Sequence, residues 1–444
     1  MLSNKEMGCL RLGLVVAGVV VAMGGVQAQG LGNSPYSRIG LGEFTPNTGG
    51  VRQMGMGGVG LAAPNATNVN ELNPALLYYT GRTTFEAGFN GQYKTIKNAR
   101  ASNQSGSGNL GYLALSVPLS TRWGAAVGLK SLTAVDYETN GIQDVAGTPV
   151  PTRVFTQSKG EGGISEAYLG QGIRLAKGLT AGFTASYVFG VIDETSGSTV
   201  QINNRVDTLV NAVNRSHTRY SDFAFRTGVH YRRKVGKTLN MNVAGVYGFG
   251  HNLNGQKTIT QEQENSSGGL ISTPTTVSDE RGSTYVPALA QVGVSFDNDK
   301  NWSLNLDASQ QQWSKFNSFG SEGVPLNNTM RVGLGGEITP DPGSVDHYFQ
   351  RVTYRAGLNV AQLPYQPGGK MLYDRAVSWG FAFPLPTATA LEATTFSLGF
   401  TYGVRGNTDI LNAATGSSNV QETYIRGQLG VTLNNRWFIK RRLQ

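Results

Sequence analysis

Hydrophobic and polar residues alternate one by one along much of this chain. Leu179, Ala181, Phe183, Ala185, Tyr187 and Phe189 share one face of an extended segment, and Thr180, Gly182, Thr184 and Ser186 share the other. Trp302, Leu304, Leu306 and Ala308 oppose Ser303, Asn305, Asp307 and Ser309 in the same way, and Val352, Tyr354, Ala356, Leu358 and Val360 oppose Thr353, Arg355, Gly357 and Asn359. A period of two is the mark of a strand with two different faces; an amphipathic helix would repeat near 3.6. The pattern predicts strands over 83–95, 108–119, 123–135, 163–175, 179–191, 220–233, 237–250, 284–297, 301–313, 328–338, 350–361, 376–385, 394–404 and 421–433. Most are near the ~9–11 residues that a tilted strand needs to cross a bilayer, and their number is even, as bacterial barrels require.

The connections sort into two sets. Ser120-Thr121-Arg122, Ala176-Lys177-Gly178, Lys234-Val235-Gly236 and Asn298-Asp299-Lys300 are short, and 339–349 and 386–393 are somewhat longer. The connections 136–162, 192–219, 251–283 and 405–420 are long and rich in Gly, Ser, Thr and Asn. Short turns at one end and long loops at the other are how an outer-membrane barrel is built. The expected fold is all-β: a 14-stranded antiparallel transmembrane β-barrel. Tryptophan fits interfacial girdles, with Trp123, Trp302 and Trp437 expected at periplasmic ends, Trp313 and Trp379 at outer ends, and none in mid-strand.

Residues 1–28 read as a signal peptide, with Lys5 and Arg11 before a short apolar stretch and Val26-Gln27-Ala28 as a cleavage site. The only cysteine, Cys9, precedes that stretch, so the mature chain is expected to have neither disulfides nor a thiol metal site. Residues 29–82 are Gly-, Pro- and Asn-rich without alternation, and read as a small N-terminal hatch (plug) inside the lumen of the barrel, 83–433. Residues 434–444 read as a periplasmic tail.

Hydrophobic residues make up only 39% of the chain, which also has 60 glycines. A barrel with one lipid-facing and one water-facing side per strand accounts for both. The net charge of +9 would suit a nucleic-acid binder, but a secreted barrel meets no nucleic acid. The basic residues near the short turns, Arg122, Lys177, Arg232, Arg233, Lys234 and Lys237, suit a solvated rim beside anionic headgroups.

Little here suggests an enzyme. Gly55-Met56-Gly57-Gly58-Val59-Gly60 matches G-x-G-x-x-G, but it lacks the flanking strand and helix of a dinucleotide site. No pair among His217, His230, His251 and His347 has metal-ligand spacing, and there is no G-x-S-x-G elbow. No cofactor or metal is expected. The inward faces carry Glu86, Asp222, Arg226, Asp307, Arg331, Glu337, Arg355 and Arg426. These read as a hydrated wall paired with the hatch; the sharper reading is that a few arginines hold an anionic ligand head.

The N-terminal region resembles the hatch of the FadL/TodX family of outer-membrane transporters. The resemblance rests on Met54-Gly55-Met56-Gly57-Gly58-Val59-Gly60-Leu61-Ala62 followed by Asn70-Glu71-Leu72-Asn73-Pro74-Ala75. It implies a fourteen-stranded barrel in the outer membrane of a Gram-negative bacterium, with Gly55, Gly57, Gly58, Gly60, Asn73, Pro74 and Ala75 shaping the hatch. It also implies passage of hydrophobic, long-chain fatty acid-like molecules, with lateral exit into the membrane. A PorV-like branch of the same superfamily implies a protein partner in secretion or surface assembly instead, and a diffusion porin is the third reading.

Overall fold

A computed structural model describes residues 34–44, 49–202, 211–265, 269–320, 325–386, 393–412 and 417–435. The expected signal peptide, Trp437 and nearly all of the expected tail lie outside the described residues. The chain forms an antiparallel barrel of fourteen wall strands. In chain order these are β2 (Thr83–Lys97), β3 (Ser102–Ser120), β4 (Trp123–Asp144), β5 (Thr152–Ala176), β6 (Leu179–Ile202) and β7 (Asn211–Lys234). Two wall strands are broken, one into β8 (Asn240–Gly248) and β9 (His251–Glu264), the other into β10 (Thr275–Val286) and β11 (Leu289–Asp297). The wall continues through β12 (Trp302–Gln311), β14 (Thr329–Ile338), β15 (Thr353–Gln362), β16 (Tyr373–Leu385), β17 (Ala393–Gly406) and β20 (Gln421–Asn435). β20 pairs with β2 from Asn435↔Thr83 to Gln421↔Lys97, which joins the last strand to the first. Four short strands among the described residues lie outside the wall: β1 (Glu43–Phe44), β13 (Asn317–Ser318), β18 (Ile410–Asn412) and β19 (Ser417–Ser418), of which the last two pair only with each other.

Alternation sets which side chains meet lipid. Phe183, Tyr187, Phe223, Phe225, Val229, Leu304, Leu306 and Leu334 all remain exposed on the outer face. Their inward neighbours are glycines or small polar residues such as Gly182, Thr184, Gly228 and Asn305. Unburied aromatics and aliphatics on one face are what a bilayer-spanning wall presents.

Two expectations fail. Much of the sequence read as long loops is strand: β4, β5, β6 and β7 have 22, 25, 24 and 24 residues, and β9 and β10 extend beside them. Beyond the bilayer both faces are wet, so Thr, Ser and Gln replace the apolar alternation, yet the ladder hydrogen bonds continue. The tryptophans also depart from plan. Trp379 lies in mid-strand, stacked on Phe400, and Trp313 is buried inside, edge-on to Phe44. Trp123 and Trp302 do sit at the starts of their strands, partly exposed.

The described part of the N-terminal segment packs against the inner face of the wall. Helix α1 (Val51–Met54) touches β16, β17 and β20, while a 3-10 turn over Pro74–Tyr79 lies against β4 to β7. The wall is glycine where these elements touch it. A Cβ on Gly335 would come within 2.0 Å of the Met56 carbonyl oxygen, and one on Gly182 within 2.3 Å of the Ala75 nitrogen. Gly335→Val is therefore expected to destabilise the folded protein by about 1–3 kcal/mol or more through overpacking. Gly91→Ala, whose Cβ meets nothing within 4 Å, is expected to be near neutral. Urea midpoints of the two variants check this.

Candidate functional site

The N-terminal segment is held by buried ions. Arg405 donates to Glu43 Oε1 at 2.6 Å and to Asp374 Oδ2 at 3.0 and 3.1 Å, and lies 3.5 Å from Glu422 Oε2. Lys94 Nζ stands 3.7 Å from Glu43 and 3.9 Å from Glu422, whose other oxygen accepts from Ser34 Oγ at 2.6 Å. Tyr424 donates to Asp374 at 2.9 Å. Charges this deep persist only when they are paired. Burial alone would raise the Glu43 carboxyl, but Arg405 and Lys94, with Arg426 behind them, hold it at about 2. Glu71 differs: burial pushes it above the usual carboxylate range, although Lys130 and a hydrogen bond donated by Tyr168 oppose this.

Between this segment and the wall lies a cavity of about 400 Å³. Leu41, Phe44, Trp313, Leu326, Met330 and Pro364 give it an apolar lining, and Arg226, Arg331, Arg405 and Arg426 also line it. Tyr36 of the N-terminal segment stacks on Tyr365 at 5.3 Å beside it.

The wall next to the cavity is forked. β3 and β4 pair only from Ser120↔Trp123 up to Tyr112↔Lys130. Above that, β3 continues along β2 to Ser102↔Lys97, and β4 continues along β5 to Asp144↔Arg153. A bulge at Gly111 marks the fork: Gly88 pairs with Tyr112 and Phe89 with Leu110. The freed edge of β4 is taken by the N-terminal segment. Glu43 pairs with Ala134 and Phe44 with Thr133, and Ser34 N donates to Asp136 O at 2.8 Å. Asn90, Gly111, Tyr112, Lys130, Ser131 and Leu132, all at the fork, also line the cavity.

Most of the inward charges expected from the sequence meet the N-terminal segment. Glu337 accepts from Arg52 at 2.6 Å and from Arg355 at 3.1 Å. Asp307 accepts from Gly60 N at 2.7 Å and Leu61 N at 2.9 Å, and Arg331 donates to Gly57 O at 2.8 Å. Glu86 accepts from Asn68 at 2.6 Å, and Arg226 donates to Glu71 O at 3.0 Å and Glu166 at 3.3 Å. Arg426 instead binds Gln92 at 2.7 and 2.9 Å. Asp222 stands apart, accepting backbone N–H groups of Phe223 and Asn254.

The glycine motif has the backbone that glycine permits: φ is +77° at Gly57, +72° at Gly58 and +124° at Gly60. Gly55 packs on Arg355 and Gly380. Asn73 accepts from Ala75 N at 2.9 Å and donates to Leu61 O at 3.0 Å, while Pro74 opens the 3-10 turn. The Asn-Pro-Ala motif thus ties the two halves of the segment together. Sequence reading missed Lys94, Lys130, Glu166, Asp374, Arg405 and Glu422. Extending the alternation a few residues beyond each expected strand end would have put Arg405 and Asp374 on the inner face.

A family model named BamG matches residues 11–444. The chain belongs to the BamG family. No curated protein matches it. Among solved structures it is similar to a Pseudomonas aeruginosa FadL homologue, with a TM-score of 0.54 at 13% identity over 89% of this chain and 98% of the other. The Ralstonia pickettii toluene transporter TbuX gives 0.52 at 15% over 87% and 98%, and the P. putida toluene transporter TodX 0.52 at 14% over 88% and 99%. At such identities the likeness concerns the fold: this BamG-family chain has a FadL-type barrel.

Proposed function

We propose that the protein is an outer-membrane channel for hydrophobic small molecules, plugged by its N-terminal segment and emptied sideways through the fork between β3 and β4. The observation that carries this is the continuity of the cavity lining with the fork residues Gly111, Tyr112, Lys130 and Ser131. The plug blocks a straight path downward, and a side exit lets an apolar solute pass from a mostly apolar cavity into lipid without crossing water. The FadL-type fold and the names of its toluene-transporting neighbours support this reading. Arg331 and Arg426 hydrogen-bond to neutral oxygens and line the cavity, so they are the arginines suited to a fatty acid-like head. The test is native mass spectrometry of the purified folded barrel, with lipid extraction. Enrichment of long-chain fatty acids or hydrocarbons over bulk lipid is expected; a barrel with no such enrichment overturns the reading.

A second reading is a barrel that docks a protein partner in secretion or surface assembly. The tall sheet of β4 to β7, β9 and β10, polar on both faces beyond the apolar band, favours it. A subunit retained through purification would decide for it.

A further inference from the structure

The two most exposed large apolar side chains among the described residues are not on the wall. Val345 is 87% exposed and Phe349 71%, more than outward side chains of the apolar band such as Val292 at 61%. Both belong to the connection between β14 and β15. This connection is an ordered turn. Asp341 N donates to Gln350 O at 2.8 Å and Gly343 N to Asp341 Oδ1 at 3.0 Å, and Tyr348–Gln350 forms a 3-10 turn. Hydrogen bonds that hold apolar side chains out in the open mark a contact surface.

The turn adjoins the end of the lipid-facing wall. Trp302 pairs with Ile338, Ile338 with Tyr354, Tyr354 with Phe381 and Phe381 with Leu398, an outward apolar row across five strands. Aromatic rings continue from this row into the turn. Tyr354 and Phe381 meet edge-on at 5.9 Å, Tyr354 Oη donates to Phe349 O at 3.1 Å, and Phe349 meets Tyr348 edge-on at 5.8 Å. Tyr348 Oη donates to Pro384 O at 3.1 Å, so the returning limb of the turn is tied sideways to β15 and β16. The Arg351 guanidinium lies over the Tyr348 ring at 5.2 Å. Rings at the end of an apolar band, with a cation beside them, are the composition of a membrane–water interface.

We propose that the β14–β15 turn is a membrane-interface anchor, with Val345 and Phe349 seated among the headgroups and upper acyl chains of the leaflet at the short-turn end. The occupant is zwitterionic phospholipid. This turn sets Asp341 and Asp346 against Arg351, whereas the short turns with Arg122, Lys177 and Lys234 are basic. Its apolar tips, rather than net positive charge, therefore supply the attraction. Interfacial side chains of this kind reach about 5–10 Å into the headgroup and acyl boundary. The inference does not depend on the cargo.

The test uses the purified barrel, one copy per nanodisc of phosphatidylcholine and phosphatidylethanolamine. The only native cysteine, Cys9, lies in the expected signal peptide, so Val345→Cys and Phe349→Cys each offer one labelling site. Both side chains are exposed, so neither substitution disturbs packing. Lys177→Cys, on a basic turn, is the wet reference, and Leu306→Cys, exposed on the outer wall, is the lipid reference. Each variant carries a nitrobenzoxadiazole dye. Iodide in the buffer is expected to quench the two turn dyes about five-fold less than the Lys177 dye, and doxyl-labelled lipid to quench them about as well as the Leu306 dye. One barrel per disc leaves no second copy, and purification no other protein, to cover the turn. Iodide quenching equal to that at Lys177 overturns the proposal, as does shielding from iodide without quenching by doxyl lipid.

Discussion

Arg405→Ala is expected to detach the N-terminal segment from the wall. The substitution removes the cation shared by Glu43, Asp374 and Glu422, all of them buried. Removing one partner from a buried ion cluster costs about 3–5 kcal/mol, because uncompensated charge is left behind. Here the cost falls on the contact between Glu43 and the wall, so the segment is released before the barrel unfolds. Limited proteolysis of the folded protein should then cut within residues 34–44, where the wild type resists. Equal resistance in both would show that the cluster does not anchor the segment. Acid should act in the same direction. Glu43 is held at about 2, below its ordinary 4.5, so its contribution is fully present above about pH 4.5 and is lost as pH falls from there toward 2. In Arg405→Ala the Glu43 carboxyl rises, and the acid-sensitive window moves up in pH.

The second large effect concerns the fork. Phe44 and Thr133 face each other across β1 and β4, and the only native cysteine is Cys9. Phe44→Cys with Thr133→Cys places two thiols at a cross-strand spacing that a disulfide spans. Oxidation would hold β1 against the freed edge of β4. If cargo leaves through the fork, uptake of a labelled fatty acid or of toluene should fall at least ~10-fold on oxidation and return on reduction, since the exit is then held shut. Uptake that ignores the redox state would place the exit elsewhere. A protein-docking barrel would show no uptake in either state.

The fourteen expected strands are all present, several with ends that match within a few residues, such as 394–404 within β17 and 421–433 within β20. Lipid outside and polar filling inside force a period of two, and that period is written in the residues. The expected loops 136–162 and 192–219 were misread because a strand wet on both faces loses the alternation without losing its ladder. The glycine and Asn-Pro-Ala motifs were legible for a local reason: Gly57, Gly58 and Gly60 need φ values that few other residues adopt, and Asn73-Pro74 builds its own turn.

By itself, then, the sequence determined the wall, its inner and outer faces, and the charges that face inward, because each follows from neighbours one or two residues apart. Only the tertiary structure decided what those charges do. Glu43 and Arg405 are 362 positions apart in sequence and 2.6 Å apart in space. The fork is likewise undecided in β3 and β4 taken singly, since the bulge at Gly111 does not say which segment pairs with the freed edge of β4. It exists because β1, far away in the chain, takes the hydrogen bonds on β4 that β3 leaves. Which strands part, and which segment fills the gap, depend on competition between distant partners for one edge, and no local pattern records that outcome.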